Sequence, residues 1–146
     1  MIISHYLTNE HRECDAIFAK AEAAAAAGDW ETAEKEFLAF ANETLLHFKK
    51  EEEEFFPTFE AKTGSSDGPT NVMRFEHEQV RGLISKIADA IEKKDRDAYL
   101  SLSESMMILL QQHNMKEEQM LYAMADRVFP VELKEETVAH MKEMTL

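Results

Sequence analysis

Apolar side chains recur along most of the chain at alternating steps of three and four residues. One such stripe contains Leu7, His11, Cys14, Phe18, Ala21 and Ala25, and a second contains Met73, His77, Val80, Ile84, Ile87 and Ile91. This spacing is typical of helices that turn one face toward the interior of a bundle. Four helices are predicted, near residues 4–27, 30–62, 69–94 and 96–127. The pattern therefore predicts an all-α protein, an antiparallel up-down-up-down four-helix bundle.

The breaks between the helices coincide with residues that favour turns and helix starts. Gly28-Asp29 interrupts the first pattern, and the carboxylates of Asp29 and Asp95 can cap the second and fourth helices. A loop is predicted at 63–69, a run of small and polar residues that ends in a proline. Pro130 follows the fourth helix and predicts a short C-terminal helix.

The two halves of the chain repeat at one constant displacement, the one that takes His11 to His77. Each member of the first stripe has its counterpart in the second, and His47 and Glu51 correspond to His113 and Glu117. The correspondence needs no gap from residue 10 to residue 57. We therefore expect a single domain over 1–146, made of two similar helical hairpins at about 7–62 and 69–127.

The spacing of the histidines predicts that all four lie at one level of the bundle. His11 precedes the first turn, at Gly28-Asp29, by almost the same stretch of chain by which His47 follows it. With a rise of about 1.5 Å per residue, both stand about 26 Å from that turn. The same spacing holds for His77 and His113 about their own turn. The middle turn, near 62 and 63, lies almost midway between His47 and His77.

Two glutamates complete this layer. Glu51 and Glu117 follow their histidines by four residues, so they share the inward face of the helix. Two buried carboxylates without partners would each cost several kcal/mol, and bound cations remove that cost. Six nitrogen and oxygen donors without thiolate favour two iron ions; manganese is less suited, and zinc usually takes four ligands. The predicted metal ligands are His11, His47, Glu51, His77, His113 and Glu117.

Other polar residues near this layer are interpreted as non-ligands. The competing interpretation of the layer itself is that solvated histidines align by chance and that the two glutamates belong to exposed charge runs. Outside it, Glu52, Glu118 and Asp15 are assigned to the surface or to a position behind the ligands. Tyr6 and Tyr122 are assigned to packing and Cys14 to the core; the alternatives are tyrosines that reach the site and a thiol that tunes its redox chemistry. His5 and His140 are assigned to non-ligand positions because they lack counterparts in the repeat.

Composition and charge exclude several kinds of partner. The chain has 146 residues, of which 45% are hydrophobic, and a formal net charge of −13. Such an acidic surface repels nucleic acid and anionic membranes, so neither is expected as a partner. A lone cysteine is typical of a reducing compartment. Because no signal peptide and no apolar segment of about 20 residues is evident, we expect a cytoplasmic protein.

Four short motifs resemble those of a known family. They are Glu10-His11, His47-Phe48-Lys49-Lys50-Glu51-Glu52 with Phe55-Phe56-Pro57, Glu76-His77, and His113-x-x-x-Glu117-Glu118. Two HxxxE motifs, each preceded by a lone histidine at the same distance, are far more specific than one. Over about residues 7–125 the chain resembles the hemerythrin-like (HHE cation-binding) domain family. The resemblance implies a non-haem di-iron centre bridged by two carboxylates, in proteins that handle O2, nitric oxide or peroxide, sense iron or oxygen, or repair iron–sulfur clusters.

The chain departs from some members of that family. Oxygen-carrying hemerythrins have a further histidine where this chain has Arg81, and they place the last carboxylate five residues after its histidine rather than four, as at Glu117. The ligand set is closer to that of iron–sulfur repair proteins, which usually carry an additional cysteine-bearing domain. Ferritin-like bundles use Glu-x-x-His, which Thr44 and Leu110 disfavour.

The favoured function is a module that binds or senses a small gaseous or peroxide ligand at an oxo- or hydroxo-bridged di-iron centre. The alternatives are a di-iron redox enzyme, an iron–sulfur repair or iron-donor protein, and a helical interaction module without metal. An electron-donor protein is a conceivable partner, and the sequence leaves the oligomeric state open.

Overall fold

The computed structural model describes residues 1–65 and 68–146, and nearly all of them are helical. The first half contains α1 (Ile2–Ala26), α2 (Trp30–Lys50), a π-helical segment (Glu51–Phe55) and α3 (Phe56–Thr63). The second half contains α4 (Pro69–Glu92), α5 (Arg96–Lys116), a second π-helical segment (Glu117–Leu121), α6 (Tyr122–Val128) and α7 (Val131–Glu143). Each π segment joins its flanking helices without a break, so the bundle has four long rods. The predicted all-α class and the short C-terminal helix are confirmed.

The four rods form a closed antiparallel square. Helix α1 packs against α2 on one side and against α5 and α6 on the other, while α4 packs against α5 and α2. Helix α7 crosses one end of the bundle, which we call the lower end, and contacts α1 and the first π segment there. Because neighbours along the chain are also neighbours in space, the connections are short and the topology is up-down-up-down.

The predicted helix starts are confirmed by side-chain caps. The Asp29 carboxylate accepts a hydrogen bond from the backbone N–H of Thr32 at 3.2 Å, and Asp95 accepts from the N–H of Ala98 at 3.1 Å. Each satisfies a donor that the first turn of the helix leaves without a partner. In the predicted loop at 63–69, residues 66 and 67 lie outside the described part of the chain.

Two apolar clusters fill the bundle above and below the histidine level. The upper cluster includes Phe18, Phe40 and Tyr99. The lower cluster includes Phe55 and Phe59, and α7 contributes the buried side chains of Val138 and Met141 to it. Along α1, His11 lies between Leu7 of the lower cluster and Phe18 of the upper one, so the polar layer is enclosed by apolar packing on both sides.

The π-helical segments are the main feature of the backbone that the sequence did not predict. Each begins at the glutamate of an HxxxE motif, and the displacement that relates the two halves also relates the two segments. Single π turns within α-helices are rare and often occur at functional sites, because the extra residue redirects nearby side chains. Both segments therefore mark the level of the bundle at which Glu51 and Glu117 enter the core.

Candidate metal centre

The six predicted metal ligands lie together in the interior of the bundle. Each rod contributes one histidine, and the two π segments contribute the glutamates. All six are buried: His11, His47, Glu51, His77, His113 and Glu117 are between 0% and 5% exposed. The alternative of solvated histidines and exposed charge runs does not fit this burial.

Within this layer the side chains form two groups that share both carboxylates. His11 and His47 form one group with Glu51 and Glu117, and His77 and His113 form the other with the same glutamates. In each group the candidate ligand atoms lie within 4.8 Å of one another. The geometry therefore pairs the histidines by hairpin, which the sequence alone had left open.

The inward-facing atoms are close together but mostly lack hydrogen bonds. The Nε2 atoms of His11 and His113 lie 3.2 Å from Glu117 Oε1, and those of His77 and His47 lie 3.2 and 3.4 Å from Glu51 Oε1. Five inner atoms are buried without a hydrogen-bond partner among the described residues: His47 Nε2, His77 Nε2, His113 Nε2, Glu51 Oε1 and Glu117 Oε2. Buried donors and acceptors are normally satisfied, so this donor set fits bound cations.

Each histidine is held from behind by a carboxylate on a neighbouring rod. The Nδ1 atoms of the four rings lie 2.6–2.9 Å from glutamate oxygens, in the pairs His11–Glu118, His47–Glu10, His77–Glu52 and His113–Glu76. With the proton on Nδ1 donated outward, the Nε2 lone pair points into the layer, which is the tautomer a metal requires.

Glu10 and Glu76 hold two of these histidines, a contact that the sequence did not predict. Each precedes a histidine in the chain but contacts the histidine of the next rod. Lys50 Nζ donates to Glu10 at 2.6 Å, and Lys116 pairs with Glu76 in the same way. The repeat contained the signal, since both pairs recur at the same displacement, but only the folded hairpins show which histidine each glutamate reaches. Of the two assignments considered for Glu52 and Glu118, the contacts favour the position behind the ligands.

The carboxylates and histidines shift one another's pKa. Burial alone raises the pKa of Glu10, but its hydrogen bond and ion pair with His47 and Lys50 lower it to about 2. Burial lowers the pKa of His113, and the charge and hydrogen bond of Glu117 outweigh this and raise it to about 9. His113 is therefore protonated at neutral pH when no cation is bound, and a metal competes with that proton.

The interpretation of Tyr122 as a packing residue is wrong. Its hydroxyl is buried in the layer and donates to Glu51 Oε2 at 2.6 Å, with Glu117 Oε1 at 3.1 Å and His11 Nε2 at 3.2 Å. Burial and the charges of both glutamates raise the pKa of this phenol well above its ordinary value. Tyr6 is also polar in role, since its hydroxyl accepts from Lys50 at 2.8 Å.

The two halves of the layer differ in the residues that flank the rings. The counterpart of Tyr122 in the first half is Phe56, and each ring lies 5.7 Å from its histidine, His11 or His77 respectively. Phe48, whose counterpart is Asn114, stacks on His77 with ring centroids 3.8 Å apart. The His77–His113 group is therefore flanked by the phenylalanine rings of Phe48 and Phe56. At the equivalent positions the His11–His47 group has the Asn114 amide and the Tyr122 phenol.

A narrow cleft of about 10 Å³ reaches the first group from the surface. Besides His11 and His47 it is lined by exposed Asp15, by half-buried Cys14 and Asn114, and by buried Thr44, Phe48 and Leu110. The Thr44 hydroxyl has no hydrogen-bond partner within the described residues. Burial raises the pKa of the Cys14 thiol, so it lines the cleft in its neutral form.

The remaining histidines lie away from the centre. His5 is exposed, and His140 on α7 pairs with Glu54 at 3.0 Å on the surface. In the described part of the chain, none of the helices is both long and apolar enough to cross a bilayer.

Comparison with known proteins agrees with the geometry. Neither the curated proteins nor the solved structures contain a significant match to the chain. The model of the hemerythrin HHE cation-binding domain matches residues 2–125, which include the six buried histidines and glutamates of the layer and the four glutamates behind them. The chain therefore belongs to the hemerythrin HHE cation-binding domain family.

Proposed function

We propose that the chain binds two iron ions through His11, His47, Glu51, His77, His113 and Glu117, and that the centre takes a small diatomic or oxidant ligand such as O2, nitric oxide or peroxide. The observation that carries this proposal is the pair of four-residue groups that share both glutamates. Two shared carboxylates with two histidines on either side serve two metals, and each metal keeps positions free for a ligand from solution.

The charges in and around the layer support two cations. Six glutamates take part, two inside and four behind the histidines. Only Lys50, Lys116 and Arg81 are seen to offset them directly among the described residues. Nitrogen and oxygen donors in this number suit iron. Zinc usually takes four ligands, which does not account for two carboxylates shared between the groups.

The surroundings of the rings favour ligand entry at the metal of His11 and His47. The cleft with Asn114 ends at these two histidines. On the other side Phe48 lies flat on His77, and Arg81 lies over Phe48 while paired with Glu52. Iron at this position would supply an open coordination site and an electron, and the Tyr122 hydroxyl would supply a hydrogen bond beside it.

Metal content and spectrum test the proposal directly. We expect about two irons per chain and a visible absorption that changes on reduction and on exposure to nitric oxide or azide. His47→Ala with Glu51→Ala should abolish iron binding and lower the melting temperature of the iron-loaded protein. The matched control is His140→Ala with Glu54→Ala, which removes an exposed His–Glu pair at 3.0 Å. If both double variants retain iron equally, the proposed centre is wrong.

A second experiment tests the side of entry. Asn114→Phe introduces a phenylalanine ring beside the cleft, at the position equivalent to that of Phe48 in the first half of the chain. We expect two irons to remain while azide and nitric oxide bind at least about 10-fold more weakly. Gln112→Phe, on the exposed face of the same helix, is the control. Unchanged ligand affinity in Asn114→Phe would contradict entry at this side.

Binding is proposed ahead of turnover because, apart from Cys14 and Asp15 in the cleft, the titratable residues around the layer are either proposed ligands or hold proposed ligands in place. Steady consumption of peroxide or nitric oxide with an electron donor would instead assign an enzyme. We place the function in the cytoplasm because Cys14 is a free thiol; cell fractionation is the check.

A further inference from the structure

Helix α7 packs against α1 and the first π segment, across the lower end of the first hairpin. Lys142 lies over the Tyr6 ring, with its Nζ 5.8 Å from the ring centroid, and the two residues line a cleft together with Asn9. Lys49 Nζ donates to the backbone oxygen of Thr145, just beyond α7, at 2.6 Å. Glu54 pairs with His140 of α7. Four side chains of the first hairpin thus face α7 or its end: Tyr6, Asn9, Lys49 and Glu54.

The equivalent surface of the second hairpin is left exposed by the described residues. The displacement that takes His11 to His77 converts those four side chains into Val72, Phe75, Met115 and Met120. We call these four residues the open face. All are strongly exposed for apolar side chains, at 48%, 65%, 53% and 58% respectively. Clustered exposed apolar side chains of this size mark interaction sites more often than chance.

The open face also lacks the charged side chains that the equivalent surface of the first hairpin carries. Lys49 and Glu54 are replaced by methionines, and Glu13, which lines the α7 cleft, is replaced by Gln79. The nearby carboxylates on α4 are paired, Glu76 with Lys116 and Glu78 with Arg81. This surface is therefore close to neutral on a chain whose net charge is −13.

We propose that the open face docks a second copy of this chain across a twofold axis. A twofold axis sets the same patch against itself, so Phe75 and the two methionines of one protomer meet those of the other. Two chains of charge −13 repel one another over most of their surface, and a neutral apolar face is where they can approach. This inference goes beyond the proposed function and does not depend on metal binding.

An aromatic residue in the centre of such a patch is suited to anchor it. Phe75 lies one turn from Val72 on α4, and the antiparallel pairing of α4 with α5 sets Met115 at the level of Phe75, since His77 and His113 share a level. Exposed phenylalanine and methionine are enriched in the cores of protein interfaces, where charged residues are depleted. The open face has this composition without any contribution from the metal layer.

Sedimentation equilibrium of the iron-loaded chain, from micromolar to submillimolar concentration, tests the proposal. We expect a monomer–dimer equilibrium that higher salt strengthens, because salt screens the net repulsion. Phe75→Glu with Met115→Glu should weaken the dimer on the order of 100-fold, since it sets like charges against one another. Leu38→Glu with Ile108→Glu is the matched control, because those residues are 60% and 52% exposed outside the open face.

Iron content and helicity are measured on every variant, so that a dimer lost through misfolding is recognised; Phe75→Ser with Met115→Ser then repeats the test without added charge. A dimer that dissociates in the open-face variants and survives in the control supports the proposal. A monomeric wild type at every concentration overturns it, and that result would leave the face to a helix of another protein. A dimer that persists in the open-face variants, or dissociates equally in the control, also overturns it.

Discussion

Tyr122→Phe isolates one hydroxyl in the metal layer. The hydroxyl donates to the buried Glu51 carboxylate at 2.6 Å. The equivalent position in the other half is Phe56, whose ring lies 5.7 Å from His77, just as Tyr122 lies 5.7 Å from His11. A phenylalanine ring is therefore accommodated at this place, and the substitution removes the hydrogen bond without changing the packing.

The expected cost follows from the charge of the acceptor. Hydrogen bonds to charged groups contribute about 1.5–3 kcal/mol, so the metal-free protein should lose about 2 kcal/mol of unfolding free energy. For a chain of this length that corresponds to a fall in melting temperature of roughly 4–8 °C. When iron is bound, the glutamate is compensated by the cation as well, so the loss in the iron-loaded protein should be smaller.

Urea unfolding of the metal-free and iron-loaded forms measures both values. Tyr99→Phe is the control, because Tyr99 is equally buried but its hydroxyl faces the Ser103 hydroxyl rather than a carboxylate. That control should change stability by less than about 1 kcal/mol. If Tyr122→Phe costs the metal-free protein no more than Tyr99→Phe does, the reasoning that the phenol stabilises a buried carboxylate is refuted.

Three further predictions concern the pH dependence of stability, the glutamates behind the proposed ligands, and one exposed glutamate. The pKa of His113 is raised from 6.5 to about 9, so its contribution is complete below pH 6.5 and is lost as the pH rises through 9. The metal-free protein should therefore lose on the order of 3 kcal/mol over that interval, measured by urea unfolding at each pH, while the iron-loaded protein should not. Glu10→Gln and Glu76→Gln should each weaken iron binding by about 10–100-fold in a chelator competition, because each fixes the tautomer of a ligand. Glu78→Gln, on the surface, should leave iron affinity unchanged in the same assay.

Much of this centre could be predicted because helix length converts sequence spacing into height. The spacing from each turn set the four histidines at one level, and the four-residue step set Glu51 and Glu117 beside them. Neither result needs knowledge of side-chain packing. The two π segments could not be predicted in this way, since EEEEF and EEQML carry no breaker and differ from ordinary helix only in how the backbone closes its hydrogen bonds.

The contacts between rods were beyond sequence reasoning for another reason. Helix geometry fixes the direction of the Glu10 side chain around its own helix. Whether the carboxylate reaches His11, His47 or solvent depends on the angle and rotation of two packed helices. Tyr122 was misread for the same reason, because its position five residues after Glu117 points inward only once the π segment has turned the helix. Spacing along one rod is fixed by helix geometry, whereas direction across rods is fixed by packing.

The functional character of the protein lies where the two hairpins differ. Their shared residues, four histidines, two inner glutamates and four glutamates behind them, build a centre that is nearly symmetric. A symmetric pair of metals would offer two equal sites to a ligand. Asn114 in place of Phe48 and Tyr122 in place of Phe56 break that equality, since one side gains a cleft and a hydroxyl while aromatic rings cover the other. Under the proposed function, the repeat accounts for two equivalent metal positions, and its exceptions account for ligand access at one of them.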